Sequence, residues 1–140
     1  MSERLTALFS PPTPEPAPPL TTTNAQLWPD ETDLLLTLGT IDHSGRVAAS
    51  KLLQAMGWHA GQATNARLRG HAIVISPMTQ SPNKIDCRQQ VFIPAGLRDL
   101  TGIRKGDTVM LIGVRQQQLL IAYSAKAMAK LVSRIAQVTP

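Results

Sequence analysis

With 140 residues and 43% hydrophobic side chains, the chain has enough apolar surface for one core of ordinary size. Its longest apolar runs, such as Leu34 to Leu36 and Val109 to Ile112, fall far short of the roughly 20 residues of a membrane-spanning helix, and the single cysteine, Cys87, excludes an internal disulfide. Residues 1 to 33 hold Arg4 against Glu3, Glu15, Asp30, Glu31 and Asp33, whereas residues 34 to 140 hold thirteen Lys/Arg against Asp42, Asp86, Asp99 and Asp107, a surplus that attracts a polyanion.

Residues 1 to 33 read as an acidic, proline-rich, disordered arm. Seven of the eleven prolines fall within residues 1 to 29, and the run from Pro11 to Pro19 lacks the amide donors that a helix or a sheet ladder needs. Met1 to Ser10 has neither the basic start nor the long apolar run of a secretory signal, so a cytoplasmic location is expected.

From Leu34 to Tyr123 the sequence repeats. Ile41-Asp42-His43-Ser44-Gly45-Arg46-Val47 returns as Ile85-Asp86-Cys87-Arg88-Gln89-Gln90-Val91, and Met56 to Gln62 returns as Leu100 to Asp107 with one inserted residue. The first copy spans residues 39 to 76 and the second 84 to 122. Each reads as strand, turn, short strand, one short helix, turn and a closing hairpin. Pro94 suits the first position of the helix over Ala95 to Leu100, with Gly102 past its end. Ser50 is the N-cap candidate for Lys51 to Met56, with Gly57 past its end. Thr108 to Val114 and Leu119 to Tyr123 form a hairpin around Arg115 to Gln118, and Arg69-Gly70 is its counterpart in the first copy. Over residues 124 to 140, Ser124 can cap a helix reaching about Gln137. Its apolar side, Met128, Leu131, Val132 and Ile135, is expected to dock, leaving Lys126, Lys130 and Arg134 in solvent. Trp58, Ile103 and Phe92 read as core, and Cys87 as a small buried side chain. No Ser/His/Asp set, carboxylate pair, phosphate-binding glycine loop or zinc-type spacing is recognisable, so no enzyme, cofactor or metal is expected.

The segment Val91 to Asp107, with Pro94, a short helix, Gly102-Ile103 and Gly106-Asp107, resembles the AbrB/MazE/SpoVT swapped-hairpin DNA-binding family, and Asp42-His43-Ser44-Gly45-Arg46-Val47 is similar to that family's Asp-x-x-Gly-Arg-Val turn. Gln89-Gln90 and Ser50 depart from the pattern. The resemblance implies a mainly β fold with short helices, in which two tandem copies exchange hairpins to build one barrel. It also implies a bacterial, sequence-specific transcriptional regulator that binds double-stranded DNA as a homodimer or higher homo-oligomer, cytoplasmic and nucleoid-associated.

Carried over by position, Arg46 of the turn and Arg98 of the short helix are the leading DNA-contact candidates, because a guanidinium offers a planar fork to phosphate or to a guanine edge. Other roles remain open to both: Arg46 as a turn residue pairing with Asp42, Arg98 as a solvated helix residue beside Asp99. Lys51, Lys84, Arg88, Arg104 and Lys105 form a second tier of phosphate contacts, while Arg67, Arg69 and Arg115 sit on outer hairpins and are expected to matter little. The alternative is an antitoxin-like module that binds a protein partner and uses DNA for autoregulation, with the N-terminal arm a further candidate site for a protein partner.

Overall fold

The structure is a computed structural model and describes residues 33 to 138. The expected arm, apart from Asp33, lies outside these residues. In chain order the elements are β1 (Leu34–Thr40), β2 (Arg46–Ala48), α1 (Ser50–Met56), β3 (Thr64–Arg69), β4 (Ala72–Pro77), β5 (Gln90–Phe92), α2 (Ala95–Thr101), β6 (Thr108–Val114), β7 (Leu119–Ser124) and α3 (Ala125–Val138). The fold is mainly β with short helices. No helix among the described residues is long and apolar enough to cross a membrane.

Five strands make one antiparallel sheet in the order β1-β6-β7-β4-β3, and β2 and β5 pair in a separate ribbon. Strand β4 sits between β3 and β7, and Ala72 to Ile75 is apolar without alternation and buried throughout. Along β6 and β7, Val109, Leu111, Leu120 and Ala122 enter the core. They join Ile73 and Ile75 of β4, Leu52, Leu53 and Met56 of α1, and Val47 and Val91, which face each other at the centre of the ribbon. Burying one such aliphatic side chain stabilises the fold by roughly 1.5–3 kcal/mol.

Both short helices stop on a glycine in the left-handed region, Gly57 at φ 78° and Gly102 at φ 73°, as their sequences require. Their starts differ from expectation. Ala49, not Ser50, is the N-cap of α1, and no side chain caps it; Ser50 is already helical. Pro94 is the N-cap of α2 rather than its first residue. Gly61 (φ 90°) and Gly106 (φ 87°), each four residues beyond the terminating glycine, also lie in the left-handed region.

Among the described residues no closed barrel forms. β1 enters the Asp42 turn as a seven-residue strand paired with β6. The segment leading to the Asp86 turn instead bends at Met78 to Asn83, where Ser81 N donates to Met78 O, Asn83 N donates to Ser81 Oγ, and Pro82 has no amide to donate. Only a single bridge, Lys84 to Ala63, adds to that side, so the sheet ends at β3.

Three side-chain expectations are also corrected. Cys87 is exposed, because it stands in the tight turn after Asp86. Phe92 is only partly buried, its ring serving the surface as described below, whereas Trp58 and Ile103 are core. Ser124 Oγ accepts from Ala127 N at 3.0 Å and caps α3, but of the side chains along this helix Ala127 is buried while Leu131 and Val132 are exposed. Leu34, Leu36 and Leu38 form a second exposed apolar row on edge strand β1.

Candidate nucleic-acid interface

Two turns of the same construction flank the β2–β5 ribbon. In the first, Asp42 Oδ1 accepts from Ser44 N (2.9 Å), Ser44 Oγ (2.8 Å) and Arg46 N (2.9 Å). In the second, Asp86 Oδ1 accepts from Arg88 N (3.1 Å) and Gln90 N (2.8 Å). Aspartate suits this place because its short carboxylate reaches amides two and four residues on. Gly45 N donates to Asp42 O, and Gln89 N donates to Asp86 O. Both residues have positive φ, 90° at Gly45 and 56° at Gln89, so the second turn holds a glutamine where the backbone favours glycine.

The turns are tied across the ribbon to opposite helices. Ile93 N, just before α2, donates to Gly45 O, and Ala49 N, just before α1, donates to Gln89 O. Ile41 exchanges backbone bonds with Gly106 and Asp107, while Ile85 exchanges them with Gly61 and Gln62. Each turn therefore belongs to one end of the ribbon, the Asp42 end with α2 and the Asp86 end with α1.

At the Asp42 end, Arg46 lies with its guanidinium 5.2 Å from the Phe92 ring centroid, a cation–π distance. Its Nη1 donates to Lys84 O at 3.1 Å, and its Nε is 3.8 Å from Asp86 Oδ2. The side-chain partner of Arg46 is thus Asp86, not Asp42, whose carboxylate holds only the backbone amide of Arg46. Arg98 donates from Nε to Ile93 O at 2.9 Å, and its guanidinium lies so close over Gly45 that a Cβ built there would be 2.7 Å from Cζ. Arg98 thus lies over the turn residue that precedes Arg46, while the Arg46 guanidinium reaches across to Phe92, Lys84 O and Asp86. The Arg104–Asp107 turn is fastened to Ile41 by its backbone, which sets exposed Arg104 and Lys105 beside the same end. Lys84 is exposed and lends its carbonyl to Arg46.

Lys51 on α1 and Arg88 in the second turn are both exposed and belong to the other end, where Gln54 Nε2 donates to Gln89 Oε1. Arg67 and Arg69 are exposed on β3, Arg115 lies in the β6–β7 turn, and Lys126, Lys130 and Arg134 are exposed on α3. Sequence reasoning missed Phe92 as the platform under Arg46 and Asp86 as its counter-charge. The strand alternation that puts Val91 and Ile93 inside the core would have placed Phe92 on the outer face.

The bonds from Arg46 N and Ser44 to Asp42 favour its ionised form and hold its pKa at about 2, down from 3.8. A depressed carboxylate stabilises the fold fully above its unfolded value near pH 4, and that contribution is lost as the pH falls through about 2. Asp42→Asn keeps an oxygen acceptor but does not titrate. Its melting temperature, followed by circular dichroism, is expected to fall less steeply than the parent's between about pH 4 and about pH 2. Parallel curves would remove Asp42 from the acid response.

Compared with family models, with curated proteins and with solved structures, the chain matches none.

Proposed function

We propose that the chain is a sequence-specific, duplex-DNA-binding transcriptional regulator of the AbrB/SpoVT type, acting at the nucleoid, with the Asp42 end of the ribbon as its DNA-contacting surface. The observation that carries this reading is the anchoring of two arginines on the ribbon, Arg98 over Gly45 and Arg46 over Phe92 and beside Asp86, in a region where thirteen Lys/Arg stand against four acids. Both guanidinium groups are pre-positioned, which lowers the entropy lost when a phosphate or base edge is engaged. Lys84, Arg104 and Lys105 surround them as phosphate contacts.

The same reading makes the chain two copies of one swapped-hairpin unit. Matching bonds at Asp42 and Asp86, Gly45 and Gln89, and Ile41 and Ile85 support it, as does the way each copy's turn leans on the other copy's helix and loop. A homodimer or higher oligomer fits the exposed leucines of edge strand β1.

The test is fluorescence anisotropy with duplexes from the chain's own upstream region and of unrelated sequence, over a range of salt. Affinity is expected to fall steeply with salt, by a slope of about −0.9 per phosphate neutralised. Arg46→Ala or Arg98→Ala is expected to cost roughly 1–3 kcal/mol if the side chain reads a guanine edge, and Arg115→Ala very little. If both variants fold and bind like the parent, the DNA surface is elsewhere. The exposed apolar rows on β1 and α3 favour a second reading in that event, the antitoxin-like partner-binding module, tested by whether the protein neutralises the product of a neighbouring toxin gene.

A further inference from the structure

The two ends of the ribbon share a backbone and differ in the side chains that could hold DNA. Gly45 matches Gln89, since each donates its amide to the turn's aspartate carbonyl and lends its own carbonyl across the ribbon. Arg46 matches Gln90, because each amide bonds the turn aspartate's Oδ1. Arg98 matches Leu53: their carbonyls accept from Ile103 N and Trp58 N, and their helices close on Gly102 and Gly57. The Asp42 end thus roots two anchored arginines, Arg98 over Gly45 and Arg46 reaching over Phe92 to Asp86, whereas the Asp86 end has Gln90 and the fully buried Leu53 in their places and Gln89 in that of Gly45.

The cations the Asp86 end does have differ in kind. Among the described residues, neither the Lys51 nor the Arg88 side chain makes a hydrogen bond or ion pair, so each is a long, exposed, unanchored chain that must be ordered on binding. Gln89 is further engaged with Gln54, which closes the outside of that turn with a neutral amide pair at 3.1 Å.

We infer that the chain engages DNA through the arginines rooted at the Asp42 end alone, so that one chain covers one half-site and a two-fold symmetric operator requires a second copy. The inference rests on the DNA-binding reading above and adds a polarity that neither the repeat nor the net charge contains. A ribbon with two working ends would place contacts at both turns of each chain; a one-ended ribbon places them at one.

The experiment compares three proteins with the parent on duplexes of random and upstream sequence by anisotropy at several salt concentrations. Arg46→Ala/Arg98→Ala marks the Asp42 end. Lys51→Ala/Arg88→Ala marks the Asp86 end and, both residues being exposed, is expected to fold normally, as circular dichroism would verify. Gln89→Gly/Gln90→Arg rebuilds the missing pair and places glycine where φ is positive. The Asp86-end double variant is expected to stay within about twofold of the parent with an unchanged salt slope, while the Asp42-end variant loses about tenfold or more. The rebuilt variant is expected to bind about three- to tenfold more tightly and to steepen the salt slope by about one ion. Equal losses at both ends, or no response to rebuilding, would overturn the one-ended assignment while leaving DNA binding intact. A parent that binds no duplex even at low salt would overturn the functional reading itself.

Discussion

Replacing Trp58 by alanine is expected to cost about 3–5 kcal/mol in chemical denaturation, which would leave little of the stability of an ordinary domain. Trp58 is 2% exposed, just past the glycine that ends α1. Its indole N–H donates to Gln118 Oε1 at 2.7 Å, and the Gln118 amide donates in turn to Met56 O (3.3 Å) and Arg115 O (2.9 Å). The loop after α1 is thereby latched to the β6–β7 turn. Gln118→Ala leaves the buried indole N–H without its acceptor, at an expected cost of roughly 1–3 kcal/mol. Trp58→Phe removes the donor and much less volume. If the latch is a single unit, Gln118→Ala in the Trp58→Phe background should cost clearly less than in the parent. Additive losses would mean that Gln118 acts through its turn geometry alone, since its φ of 54° is itself unusual.

That latch shows what was and was not legible in the sequence. Trp58 as core followed from its size and its place in the repeat, but its hydrogen-bond partner sits sixty residues on, a distance at which pattern carries no information. Local chemistry was readable: Gly57 and Gly102 end helices, Ser124 caps one, and the β-rich run Thr108 to Val114 forms a strand. The N-cap of α1 was misread because Ser50 is a good capping residue by type, while the cap position is set by Ala49, whose amide is drawn across the ribbon to Gln89 O. A tertiary bond overrode a local preference.

Candidate site residues were legible as types and not as a constellation. The turn motif drew attention to Arg46, and the helix to Arg98, yet only the fold shows that Arg98 lies over Gly45 and Arg46 over Phe92. The barrel expectation failed for a similar reason. Repetition of the turn suggested repetition of the strand leading into it, but Met78 to Asn83, with Pro82, cannot extend a ladder as Leu34 to Thr40 does. Cys87 was misplaced because its small apolar character suggested burial, whereas, like His43, it stands second in an Asp turn and is exposed.

Gly39→Ala is expected to destabilise the fold by about 1–3 kcal/mol, although a glycine in a strand is ordinarily a weak point that alanine improves. In β1, Gly39 pairs with Val109, and its backbone passes directly over β2. A Cβ there would stand 2.5 Å from Val47 Cγ1 and 3.2 Å from Ala48 O. Val47 cannot yield easily, because it is fully buried, β-branched and opposite Val91 at the centre of the ribbon. The added methyl must therefore push β1 and the ribbon apart, and the ribbon is what holds Arg46 over Phe92. Gly96→Ala is the matched control: it lies in α2 with nothing within 4 Å of its would-be Cβ, and it is expected to raise stability by roughly 0.5–1 kcal/mol through helix propensity. Val47→Ala should recover part of the Gly39→Ala loss by opening room, even though on its own it empties core volume. If Gly39→Ala is as stable as the parent and binds DNA unchanged, β1 rides loosely over the ribbon. The close approach would then contribute nothing to the placement of the arginines.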